Sequence, residues 1–104
     1  MKAARLIGLL IKAPLYPWSY YILGQEFYMI NKPLKAARHF AKAGRRMAKA
    51  GYRSLEVTAC KEAKRIYQEI VENKSSILKK SDYGNLGFID YCLDPFPEDE
   101  RIIY

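Results

Sequence analysis

Apolar and polar positions alternate along this chain in a way that divides it into three stretches: a basic amphipathic segment over 1–16, a helical body over 17–80 and an extended acidic tail over 81–104. A first helix is expected from Pro17 or Trp18 to about Ile30, where Asn31-Lys32-Pro33 breaks it. Pro33 suits the first turn of a second helix, because the N–H it lacks has no intrahelical partner there. That helix reads to about Ala50, with Gly51 as its C-terminal stop. Its two faces separate at 100° per residue. Lys35, Arg38, Lys42, Arg45, Arg46 and Lys49 fall within an arc of about 100°, while Leu34, Ala37, Phe40, Ala41, Gly44, Met47 and Ala48 take the other side. The small residues on that side let a neighbouring helix come close, and Phe40 and Met47 fill the gaps.

A third helix is expected from Ser54 to about Glu72. Ser54 is its cap, Glu56 lies in its first turn, and Leu55, Ala59, Ala63, Ile66 and Ile70 form one stripe. Residues 77–80 add a short turn. From Ser81 the pattern changes. Asp82-Tyr83-Gly84-Asn85 and Gly87 read as turns, and Phe88–Leu93 as a short strand or extended segment. The Pro-containing acidic stretch after Asp94 is loose on composition alone. Phe96, Ile102, Ile103 and Tyr104 are therefore expected to anchor the tail on another chain. The fold class expected is all-α: a helical hairpin or three-helix arrangement with an extended arm at each end.

The N-terminal residues 2–13 are basic, acid-free and able to form an amphipathic helix, which resembles a mitochondrial targeting segment. The segment is expected to remain as a structural element. Leu6–Gly24 is a poor membrane span. A span takes roughly 20 predominantly apolar residues, and here Lys12, Pro14 and Pro17 interrupt the run. Tyr16, Trp18, Tyr20 and Tyr21 are the expected anchors at a membrane interface or in a groove on a protein neighbour.

Charge sharpens this division. The net charge is +7, yet residues 25–80 hold fourteen Lys/Arg against five Glu, and residues 81–104 hold six acids against Arg101 alone. A basic body and an acidic tail imply that different stretches meet different surfaces. Half the residues are apolar, which argues for a folded chain, but at 104 residues a single core is small enough to gain from a partner's surface.

Tyr20, Leu23, Gly24 and Phe27, followed by Ala36, Phe40 and Ala43, resemble one tetratricopeptide repeat unit over residues 20–43. The resemblance implies paired helices nested through small residues, with aromatics between them. Leu23, Gly24, Phe27, Ala37, Phe40, Gly44 and Met47 are accordingly the expected helix-packing positions. The pattern departs at Ala48, where the family usually has Pro. No second copy follows at the ~34-residue period.

No residue pattern suggests catalysis. His39 is the one histidine, and it lies beside the basic arc with no Cys or acid pattern for a metal site. Cys60 and Cys92 are far apart in sequence and show neither zinc spacing nor a redox motif. No cofactor is expected. The leading expectation is a non-catalytic accessory subunit of a mitochondrial inner-membrane complex, a respiratory complex or ATP synthase, bound peripherally or at the interface. Its partners would be other subunits, with anionic lipid such as cardiolipin against the basic face. The alternatives are a mitochondrial ribosomal or other RNA-bound structural protein, with nucleic acid the weaker candidate because the tail would be repelled, and a soluble helical adaptor.

Overall fold

In the computed structural model, which describes residues 17–74 and 77–93, four helices follow one another: α1 Pro17–Met29, α2 Pro33–Ala50, α3 Arg53–Lys74 and α4 Lys80–Cys92. No strand occurs among the described residues, and the protein is all-α. The expected basic segment, Tyr16 and the tail anchors Phe96, Ile102, Ile103 and Tyr104 lie outside the described residues.

The turns between the first three helices follow from backbone chemistry. Asn31 ends α1 at φ 64° and Gly51 ends α2 at φ 83°, both in the left-handed region. At the first turn Asn31 N–H bonds Tyr28 O at 3.1 Å and Lys32 N–H bonds Phe27 O at 2.9 Å. At the second, Gly51 N–H bonds Ala48 O at 3.2 Å and Tyr52 N–H bonds Met47 O at 2.9 Å. Each pair satisfies two carbonyls that the end of a helix would otherwise leave without partners. Such tight reversals fold α1 back on α2 and α2 back on α3.

Small residues set how closely the helices approach. A Cβ on Gly24 would sit 2.9 Å from two carbons of the Phe40 ring, so α1 and α2 meet with a bare backbone against an aromatic face. A Cβ on Gly44 would sit 3.0 Å from Cys60 Sγ, which makes the same approach between α2 and α3. Leu23, Ala36, Ala37, Phe40, Ala41, Ala43 and Met47 share one buried cluster with Ala59, Ala63, Ile66, Tyr67 and Ile70 of α3. The packing positions read from the sequence thus lie in the core, with Phe27 half-buried at its edge. Ala48 departs from its expected side. It sits exposed in the last turn of α2, where it lines a surface groove beside Phe88.

The largest difference from the sequence reading is α4. Residues 82–87 are helical and not turns, and Phe88–Leu93 runs through the end of a helix and its cap, not along a strand. Two features account for it. Asp82 lies in the first turn, where its Oδ2 accepts the Lys79 N–H at 2.9 Å, as a carboxylate at a helix start favours. Leu86, Ile89, Cys92 and Leu93 recur at helical spacing and pack on the core. The helix forms because burying this stripe outweighs the weak intrinsic propensity of Gly84 and Gly87.

Candidate interaction surface

The geometry divides the six cations of α2 into two groups. Arg38, half-buried, and Arg45, exposed, reach across to α4. Arg38 donates from Nε to Asp82 Oδ1 and from Nη2 to Asp82 Oδ2, each at 2.8 Å, a bidentate pair with a fully buried carboxylate. Tyr67 of α3 donates its hydroxyl to the same Oδ1 at 2.7 Å, and Asn85 Nδ2 donates to the Tyr67 oxygen at 3.1 Å. Burial alone would raise the Asp82 carboxyl. The Arg38 guanidinium, the Lys79 N–H and the Tyr67 hydroxyl outweigh it and hold the group down at about 2. Burial in turn pushes the Tyr67 hydroxyl up. Arg45 donates from Nη2 to the Gly84 carbonyl at 3.2 Å and to Asn85 Oδ1 at 3.3 Å, with its guanidinium 4.7 Å from the Phe88 ring centre.

A third arginine completes the clamp on α4. Arg53, at the start of α3, donates from Nη2 to the Cys92 carbonyl at 3.0 Å and from Nη1 to Cys92 Sγ at 3.5 Å. Start, middle and end of α4 are thereby each gripped by one guanidinium. Arg38 and Arg45 belong to the expected lipid- or partner-binding face, and both also bond α4. The reason is that α4, read from the sequence as extended chain, is a helix that covers one edge of the arc.

Lys35, Lys42, Arg46 and Lys49 remain exposed. The Lys42 ammonium lies 4.8 Å above the Tyr20 ring centre and the Lys35 ammonium 5.7 Å from that of Phe27, each within cation–π range of an aromatic face. Lys42, Arg45, Arg46 and Lys49, with Ala48 and Phe88, line an open groove of about 440 Å³. Its lining sets four cations beside the apolar surface of Ala48 and Phe88.

The aromatic anchors separate as well. Tyr20 and Tyr21 are buried in the core, contrary to their expected interfacial place. Tyr21 meets the Phe40 ring edge-on at 5.0 Å. The cause is helical spacing, which turns these rings toward α2. Trp18 is 44% exposed and stacks on Tyr21 at 4.5 Å, so it is the described member of that set with a face outward. His39 packs 4.8 Å from the Phe27 ring and bonds through Nδ1 to the Lys35 carbonyl at 2.8 Å. Burial shifts it toward the neutral form.

Cys60 of α3 and Cys92 of α4, 32 positions apart in the numbering, are free thiols, both fully buried. Sequence spacing could not reveal this, because it depends on α4 folding back along α3. The one available signal was the helical register Asp82, Leu86, Ile89, Cys92.

Among the described residues, no group of three or more His, Cys, Asp or Glu is placed to hold a metal ion, and no helix is long and apolar enough to cross a membrane. The chain matches no family model, no curated protein and no solved structure.

Proposed function

We propose that this protein is a non-catalytic accessory subunit that docks on an acidic surface of a larger assembly through the exposed half of its basic face. One observation carries the reading. Folding ties Arg38 to the buried Asp82 yet leaves Lys42, Arg45, Arg46 and Lys49 exposed around the groove beside Phe88. Cations needed only for solubility would not be concentrated around one concavity; this arrangement steers and orients an anionic partner. The tetratricopeptide-like residues 20–43 fit a scaffolding role, since their small positions serve helix nesting.

The compartment proposed is the mitochondrial inner membrane, with a respiratory complex or ATP synthase as the assembly and cardiolipin-type head groups as an additional anionic contact. It is supported by the basic, acid-free stretch over residues 2–13 and by the outward Trp18. Native-gel fractionation of a mitochondrial membrane extract tests it. The protein is expected to comigrate with a large membrane complex, and to leave it when Lys42, Arg46 and Lys49 are replaced by Gln. Migration as a small free species, or release by nuclease in place of the substitutions, overturns the proposal.

A further inference from the structure

The groove beside Phe88 is a concentration of one sign of charge. Lys42, Arg45, Arg46 and Lys49 line it with Ala48 and Phe88, and no carboxylate is among these lining residues. The four cations follow one another at helical neighbour spacing, where like charges repel. The ion-paired carboxylates of the described residues are committed elsewhere: Asp82 to Arg38, Glu56 to Arg53, and Glu62 and Glu69 to Arg65. A counter-charge laid into the groove would therefore be favoured.

The fold delivers one to its edge. Contacts advance along α2 and α4 together: Asp82 meets Arg38, Gly84 meets Arg45, and the Cys92 carbonyl accepts from Arg53, two residues beyond Gly51. The chain that follows Leu93 thus starts at the Lys49 end of the groove. Its sequence is Asp94-Pro95-Phe96-Pro97-Glu98-Asp99-Glu100, which sets four acids and an aromatic opposite four cations and an aromatic. An Asp-Pro step favours the start of a turn. Reach is sufficient. Phe88 lies about 7.5 Å back along α4 from Leu93, and three extended residues to Phe96 span up to about 10 Å. Seven residues, to Glu100, span up to about 25 Å, against about 10 Å along α2 from Lys49 to Lys42.

We propose that residues 94–100 of this chain turn back over the groove and occupy it. Phe96 lies against Phe88 and Ala48, Asp94 faces Lys49, and Glu98, Asp99 and Glu100 face Arg45, Arg46 and Lys42. Connection through a short stretch of chain gives the tail an effective concentration on the order of millimolar. A second copy in dilute solution is far scarcer, so the occupant is the chain's own tail. Occupancy does not depend on the docking proposed above. One consequence rests on that reading: an acidic partner must displace the tail, so the two compete for the same cations.

The test uses the full-length chain, dilute and at low salt, treated with a carbodiimide that joins carboxylates directly to lysine amines. Mass spectrometry then reads the linked peptides from an equal mixture of isotope-labelled and unlabelled chains. Links from Asp94, Glu98, Asp99 or Glu100 are expected at Lys42 and Lys49, at least about tenfold above links to Lys61 and Lys80 outside the groove. Each linked pair should carry a single isotope label. Arg46→Glu, at an exposed position, should cut the links to Lys42 and Lys49 at least about fivefold. The proposal is overturned if the tail acids link equally to lysines outside the groove, if they form no links, or if the linked pairs mix labels, which would place a second copy in the groove. Links undiminished in the Arg46→Glu chain overturn it as well. Should that variant fail to fold, the position and labelling of links in the unsubstituted chain decide the outcome. No assembly is present, so a tail found elsewhere leaves the docking reading intact, and failure to comigrate with a membrane complex leaves the tail contact intact.

Discussion

Asp82 shows best how one side chain can organise a small fold. Its carboxylate closes the first turn of α4 through the Lys79 N–H, receives both donors of Arg38 from α2 and takes the Tyr67 hydroxyl of α3. A buried charge left half-paired is costly, so the contribution of this group depends on all its donors being present. Asp82→Asn removes the charge but keeps the shape, and is expected to destabilise the protein by roughly 2–4 kcal/mol, read as a lower urea midpoint. The pH dependence follows from the same contacts. The folded carboxyl titrates at about 2, below its ordinary 3.8. Its stabilisation is therefore complete above the ordinary value and is lost as pH falls from 3.8 toward 2. Urea midpoints measured across that window should drop in the parent chain and drop less in the Asn variant. Nothing local in the sequence announced this role, because Arg38 and Tyr67 lie 44 and 15 positions away. Gly24 and Phe40, by contrast, were legible, since a small residue and an aromatic at matching helix positions imply close nesting.

Elements were legible where periodicity and stop signals agreed. Pro33 at the start of α2 and left-handed Gly51 after it are local features, and the two faces between them separate by charge, so the sequence reading and the structure coincide over Pro33–Ala50. The reading failed at α4 because two glycines within a short span were weighed as turn formers, while the stripe that packs the helix needs α2 and α3 already in place. The same glycines make α4 the element most open to improvement. A Cβ at Gly84 or at Gly87 would meet nothing within 4 Å, and neither residue has positive φ. Gly84→Ala and Gly87→Ala should each stabilise the protein by about 0.5–1 kcal/mol. Both should also slow labelling of Cys92 by a thiol reagent, because that sulfur is exposed by opening of this helix. A thermal melt and a labelling rate measured on the same samples check the two effects. An increase in melting temperature with unchanged labelling would mean that Cys92 is reached by another route.

Over the whole molecule, what matters is how the excess positive charge is divided. From the sequence, six cations on one face of α2 read as a single binding surface. The covering helix could not be anticipated, and it engages two of them, the half-buried Arg38 and the exposed Arg45, while the other four only face outward. The split makes a prediction that needs no knowledge of the partner. Replacing Arg38 by Ala leaves Asp82 buried beside Tyr67 without its principal counter-charge, and should cost about 2 kcal/mol or more in urea unfolding. Replacing Arg46 and Lys49 together by Ala removes two solvated charges from a chain of net +7, and should change stability by no more than about 0.5 kcal/mol per site. Salt separates the classes a second time. Screening weakens attraction between a partner and the outward cations far more than it weakens the Arg38–Asp82 pair, whose carboxylate is withdrawn from solvent. Association with the proposed assembly should thus fail at salt concentrations that leave the unfolding midpoint almost unmoved. If binding and folding were lost together along the same salt titration, the outward cations would be part of the clamp and the division drawn here would not hold.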